Sequence, residues 1–308
     1  MAKIAVDLLG MHFRNPILPA AGPNVGTGEQ LRKTAEGGAG GLLAKTVSVR
    51  AAEVPRPDMF RLGPTGMLNT ELWTELTPEA WLEREYDIGL AAAREHGLPF
   101  LASIGYTPAD LREIGPKVEA KGVDAIEFSI HYLDPDRLIE TAKALRESVK
   151  VPIIAKLSPH KGDLGELAAE IEPYVDGFAI INSYGPALSI DIERVEPVLG
   201  STHGYGWLSG APIRPLALRS VFEVARRVQK PVVGIGGIVT AKDVIAFFMA
   251  GASLVQVCTV ILLRGQDYYA KLARGVSEWL DAHGYDDISQ VQGLYLRQVG
   301  AQGGKLHG

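Results

Sequence analysis

The chain has 308 residues, 46% apolar and 22% charged, with 31 basic against 36 acidic residues, a net charge of −5 and a single cysteine. At that length about three quarters of the unfolded surface can be buried, so the core needs no disulfide or metal staple. One cysteine excludes an intrachain disulfide and any cysteine-rich metal site made by this chain alone, and the absence of a long basic block argues against nucleic acid as a partner.

Residues 1–6 hold no apolar stretch long enough for a signal peptide or membrane anchor, so a cytoplasmic protein is expected. Short apolar, β-branched runs then recur at 15–20, 41–46, 100–104, 125–130, 152–157, 177–182, 231–236 and 254–259. Near-continuous hydrophobicity is what parallel strands require when helices cover one face and barrel side chains the other. Between the runs lie amphipathic stretches with start and stop signals: 78–96, Thr107-Pro108 opening one to Ala120, Asp134-Pro135 opening one to Val149, 213–229, and Thr240-Ala241 opening one that ends before Gly251. Strand and helix alternating about eight times predict an α/β fold, a (β/α)8 TIM barrel spanning 1–308 as one domain, with a tail from about 277. An open doubly wound sheet fits less well, because no Gly-x-Gly-x-x-Gly turn follows the first strand. Residues 244–263 are uncharged and as long as a membrane span, but Gly251, Ser253, Gln256 and Thr259 break them into a helix end, a turn and a strand.

Two connections, 47–77 and 183–212, are much longer than the usual handful of residues and leave the C-terminal ends of strands. That is the face on which barrel enzymes build their sites, so both are read as lids or pocket walls. As mere decoration they would leave Trp73, Trp207, Tyr184 and Tyr205 without a core.

The strand ends carry Lys45 and Thr46, Ser103, Glu127, Ser129, His131 and Tyr132, Lys156 and Ser158, then Asn182 and Ser183. Lysines ending two different buried strands are costly unless they face an anion or a polarised ligand. A flat anionic cofactor is one solution; snorkelling out of the barrel mouth is the bland alternative. Gly234-Ile-Gly-Gly-Ile238 and Cys258-Thr259 follow the last two strands, where this fold usually binds phosphate and where glycine lets backbone N–H groups approach an anion. Scattered histidines give metal chemistry little support, no Gly-x-Ser-x-Gly elbow is present, and Cys258 reads as a packing residue rather than a nucleophile.

The order of short motifs resembles the dihydroorotate dehydrogenase family of FMN-dependent barrels. It is carried by Asn15-Pro-Ile-Leu-Pro-Ala-Ala-Gly22, Gly41-Leu-Leu-Ala-Lys-Thr46, Gly66-Met-Leu-Asn69, Lys156-Leu-Ser-Pro159, Ile181-Asn-Ser183, Leu208-Ser-Gly210, Ile213-Arg-Pro-Leu-Ala-Leu218, Gly234-Ile-Gly-Gly-Ile238 and Val255-Gln-Val-Cys-Thr259. The resemblance implies that Ala20, Ala21 and Gly22 line the flavin, that Lys45 and Thr46 reach its ring and the substrate, and that Lys156 stands by the N1/C2 carbonyl edge. It further implies that Gly210, Gly236, Gly237, Cys258 and Thr259 hold the ribityl phosphate, with Ser129 and Ser183 also at the cofactor. Asn69, Asn182, Ser183 and Asp134 are carried over to the substrate.

The family surrounds its pyrimidine with asparagines and places a cysteine or serine base in a segment resembling Asn-x-Ser-Cys-Pro-Asn. Here that stretch reads Ser129-Ile-His-Tyr-Leu-Asp134. Two asparagine positions are Ser129 and Asp134, and Tyr132 stands at the base position, so a substrate other than dihydroorotate is expected. A phenol of pKa about 10 would need a fall of roughly three units, about 4 kcal/mol, to act as base at neutral pH, whereas as an acid it needs no such help. Tyr132 is therefore read as the proton donor, with His131 and Lys45 as the other catalytic candidates.

Two other readings stand beside this one: a Schiff-base aldolase or lyase using Lys156 or Lys45 on a phosphorylated substrate, and a flavin-binding barrel without catalysis. No membrane partner is expected. Electrons would go to a soluble acceptor or a separate electron-transfer subunit, and the apolar residues Trp279, Leu280, Leu294, Tyr295 and Leu296 suggest docking on the barrel or a homodimer contact.

Overall fold

The structure is a computed structural model and describes residues 1–129, 137–158 and 163–301. Eight parallel strands form one sheet: β1 (Ile17–Pro19), β2 (Leu42–Leu43), β3 (Phe100–Ile104), β4 (Ala125–Ser129), β5 (Ile153–Leu157), β6 (Gly177–Ile180), β7 (Val232–Ile235) and β8 (Ala252–Val257). Their neighbours run in the order β1-β8-β7-β6-β5-β4-β3-β2. The two edges meet where the Gly40 N–H donates to the Ile17 carbonyl at 2.8 Å, giving the (β/α)8 barrel that the alternation predicts. Every residue of β3, β4 and β5 is buried, which explains their unbroken apolar runs.

Helices α1 (Gly28–Glu36), α2 (Tyr86–His96), α3 (Pro108–Glu119), α4 (Leu138–Ser148), α5 (Leu164–Ile171), α6 (Arg214–Ala225), α7 (Ala241–Met249) and α8 (Tyr268–Ala282) lie between or after the strands. The start signals act as read: Thr107 with Asp110, and Thr240 with Asp243, close reciprocal capping boxes, each cap contributing about 1 kcal/mol. Asp134 and Pro135, expected to open α4, lie outside the described residues. Residues 244–263 divide into the end of α7, a turn and β8, and no described helix is long and apolar enough to cross a membrane.

Period two decides what fills the barrel. Leu18, Leu43, Leu101, Ala125, Ile154, Ala179, Val233 and Leu254 form an apolar cluster joined by Met11 and Phe13. Two residues further along the same faces come Ala20, Lys45, Ser103, Glu127, Lys156, Ile181, Ile235 and Gln256. The interior thus changes from an apolar floor to a largely polar upper layer at the C-terminal ends of the strands.

The two long connections meet one another. Met59–Leu62, Gly66–Asn69, Gly206–Gly210 and Tyr184–Ala187 form a four-stranded antiparallel sheet, with Asn69 opposite Trp207 and Gly66 opposite Gly210. The expectation for their aromatic residues holds only in part. Trp73 packs against Tyr106 at 5.3 Å between ring centroids and donates its Nε1–H to the Arg50 carbonyl, but Tyr184 and Tyr205 are 42% and 50% exposed. A sheet covered on one face leaves alternate side chains such as Tyr184 in water, and Tyr205 stands just before the strand Gly206–Gly210, so these two never needed a core. The tail lies on its own barrel: Leu280 is buried, Ser277 Oγ donates to the Ala2 carbonyl at 3.0 Å, and Tyr295 packs on Phe222.

Candidate active site

The upper layer and the antiparallel sheet flank a cleft lined by residues of both. Its lining includes every described residue that the resemblance assigns to cofactor or substrate, whereas the strand-end residues Ser103, Glu127 and Ser158 do not line it. Ala20, Ala21 and Gly22 follow β1, Lys45 and Thr46 follow β2, and Ser129 and Lys156 end β4 and β5. Asn182 and Ser183 follow β6, Gly236 and Gly237 follow β7, and Cys258 and Thr259 follow β8, while Asn69 and Gly210 come from the sheet. His131, Tyr132 and Asp134 lie outside the described residues.

Both lysines are buried, and neither snorkels. Lys45 Nζ lies 2.5 Å from Glu71 Oε2, and Lys156 Nζ lies 3.3 Å from Glu127 Oε1. Gln256 Nε2 donates to the other Glu127 oxygen at 2.6 Å. This corrects one expectation: the cost of burying these cations is offset by carboxylates of the chain itself, not only by a ligand. Burial pushes the Glu71 carboxyl above the ordinary carboxylate range; the Lys45 ammonium opposes that rise and Asp58 adds to it.

The polar groups facing the cleft are partly committed to the scaffold. Asn69 Nδ2 donates to the Trp207 carbonyl at 3.1 Å and Asn69 Oδ1 accepts from the Glu71 N–H at 3.2 Å, leaving one donor and one acceptor of the amide for a ligand. Asn182 Oδ1 accepts from the Ser183 N–H at 2.9 Å, so its Nδ2 is the end available. Thr46 Oγ1 and Ser103 Oγ are 2.9 Å apart, and Thr259 Oγ1 donates to Ser209 Oγ at 2.9 Å. Cys258 shows part of its surface to the cleft but is otherwise enclosed, and burial pushes its thiol up to about 11, as suits packing rather than nucleophilic attack.

Among the lining residues that the sequence did not single out as site residues are Glu71, Tyr106 and Gln256. Gln256 was legible, since it alternates with Leu254 and Cys258 along one face of β8; reading it only as a break in an apolar segment hid it. Glu71 was partly legible as an acid two residues past Asn69, but its pairing with Lys45 depends on how the long connection returns over the barrel. Tyr106 carries no local signal beyond its place after β3.

The donor set fits FMN. Gly236 and Gly237 hold φ of +118° and +78°, and a Cβ on Gly237 would stand 2.5 Å from Arg214 Cβ, so only glycine lets this backbone lie along the cleft. Beside them, Thr259 and Val260 open the helix Thr259–Arg264, where the leading N–H groups have no acceptor within the helix. Backbone donors of the kind that suit a phosphate-sized anion and the two lysines thus line the same cleft.

The family described as dihydroorotate dehydrogenase matches residues 133–280. The dihydroorotate dehydrogenase B (NAD(+)) catalytic subunit of Pyrococcus abyssi is 32% identical over 308 residues, covering 96% of this chain and 99% of the relative. The subunits of the same name from Pyrococcus furiosus and Methanothermobacter thermautotrophicus are each 30% identical, covering 95% and 94% of this chain and 98% of each relative. With the barrel, the paired lysines and the Gly236-Gly237 turn in place, these near full-length matches show that the chain belongs to the dihydroorotate dehydrogenase family, FMN-dependent oxidoreductases acting on CH–CH bonds.

Proposed function

We propose that the chain interconverts a CH–CH bond and an alkene in an uncharged, small cyclic or conjugated carbonyl compound, and that this compound is not dihydroorotate. The observation that carries this reading is the charge balance of the cleft. Among the described residues, its two lysines are each matched by a carboxylate, Glu71 for Lys45 and Glu127 for Lys156. A substrate carboxylate would have to displace Glu71 from Lys45 or share a buried space with it, and like charges in a low-dielectric site repel by several kcal/mol at an effective dielectric of about 20. A neutral ring meets no such barrier.

FMN, when bound, supplies a two-electron acceptor and donor. The residue roles proposed here follow the cleft. Ala20, Ala21 and Gly22 flank the ring, Ser129 and Ser183 edge it, and Lys45 and Thr46 lie between ring and substrate. Lys156 stands at the N1/C2 edge, where a cation favours the reduced, anionic form. Gly210, Gly236, Gly237, Cys258 and Thr259 take the phosphate. Asn69 and Asn182 orient the substrate carbonyls through the amide groups that the scaffold leaves unused. Tyr132, with His131 beside it in sequence, delivers the proton to the carbon next to the one that exchanges hydride, and Asp134 belongs to the same substrate segment. Likeness to relatives named as catalytic subunits supports a separate subunit as the electron partner.

Titrating the flavin spectrum of the holoenzyme with orotate and with uracil, the same ring without the carboxylate, tests the reading. Perturbation at lower concentration by uracil is expected. Orotate binding at low-micromolar or nanomolar concentration would overturn it. Flavin that no substrate reduces would instead favour the barrel without catalysis, and an unchanged turnover in Tyr132→Phe would remove the proton role.

A further inference from the structure

We infer that Glu127 is a positioning residue for the flavin chemistry: a buried counter-ion that balances the Lys156 ammonium and so limits how strongly the site draws electrons into the bound flavin. The inference rests on FMN binding alone and not on the proposed substrate.

Glu127 is wholly buried in the middle of β4 and does not line the cleft, whereas Lys156 and Gln256, which hold it from two other strands, both do. In the register of β4 and β5, Ser129 stands opposite Lys156 and Glu127 opposite Ile154, so Glu127 shares the face of Ser129 two residues back along β4. Its Oε1 is 3.3 Å from Lys156 Nζ, and its Oε2 accepts from Gln256 Nε2 at 2.6 Å. The cleft therefore meets a lysine whose charge is balanced by a buried partner, a dipole rather than a lone cation. A lone buried cation acts over long range in this environment, while the field of a pair falls off much faster. The barrel floor could have been continued at this position by an apolar side chain, as it is by Ala125 on the same face. A carboxylate fixed by both a lysine and a glutamine sets charge at a chosen depth.

Offsetting the cost of burying Lys156 would by itself require a partner but would leave the flavin indifferent to it. Sulfite affinity separates the two roles without substrate or turnover. Sulfite donates its lone pair to flavin N5, and the negative charge of the adduct spreads toward the N1/C2 edge, so its dissociation constant reports the net charge there. In the FMN-loaded protein, Glu127→Gln should tighten sulfite binding by about tenfold or more, and Lys156→Gln should weaken it by about as much. The double variant, which removes both charges, should return to within about threefold of the wild-type value. Glutamine keeps a hydrogen-bonding group for Gln256, and FMN content with the melting curve checks each protein. If Glu127→Gln does not load FMN, Glu127→Asp carries the test, with intermediate tightening expected as the pair lengthens. Unchanged or weaker sulfite binding in the Glu127 variant, or a double variant no better than Lys156→Gln alone, overturns the inference; neither result bears on the substrate.

Discussion

The two walls of the cleft are built differently. One is the upper layer of the barrel, where Lys156 and Gln256 reach the cleft from different strands and hold Glu127 behind them, each less than a tenth exposed. The other is the antiparallel sheet made by two connections, with Asn69 held by the Trp207 backbone and with Tyr184 and Tyr205 left half in water. Charges fixed by β-strand register cannot drift, so the barrel wall suits a cofactor whose electronics must be set. A sheet held by a single layer of pairing can differ between relatives without disturbing the core, so it suits substrate choice.

That contrast can be broken most forcefully from the barrel side. Glu127→Ala leaves the Lys156 ammonium buried without its partner and should lower the free energy of unfolding by about 3–5 kcal/mol, read from urea midpoints; a loss under about 1 kcal/mol would mean that water already reaches the pair. Lys156→Met, assayed by stopped-flow reduction of the bound flavin, should slow the reaction by about 10²- to 10³-fold. Gly237→Ala forces a Cβ into Arg214 at a φ of +78°, and a cost of about 1–3 kcal/mol should appear as lost FMN in equilibrium dialysis.

Changes in the sheet should be smaller and of another kind. Asn69→Ala deletes the bonds to Trp207 and Glu71 and should raise KM far more than it lowers kcat, with about 1–3 kcal/mol lost. Smallest of all, Cys258→Ala should leave the pH dependence of turnover between about 6 and 9 unchanged, since a thiol pushed up to about 11 stays protonated throughout that range; a basic limb that vanishes in the variant would show that Cys258 titrates.

The same contrast explains what could be read without a structure. Barrel strands announce themselves by continuous apolar runs and helices by caps such as Thr107 with Asp110, so the architecture and the ring of residues at the strand ends were legible. Lys45, Lys156 and the Gly236-Gly237 turn stood out because lysine and paired glycine are expensive in such places. What stayed hidden depends on contacts distant in sequence: the pairing of Gly66–Asn69 with Gly206–Gly210 joins segments whose short, mixed patterns carry no partner information. For the same reason Lys45 was recognised as a charge that needed an answer while Glu71, the answer, was not. Tyr184 and Tyr205 misled because an aromatic side chain in a long loop was equated with burial.

The charge-matched cleft is tested most directly by the dissociation constant of orotate for the FMN-loaded protein, measured in wild type and in Glu71→Gln. Removing the carboxylate that occupies Lys45 should release that cation for the ligand and tighten orotate by about tenfold or more. Equal affinity in the two proteins, or tight orotate binding already in wild type, would contradict the account.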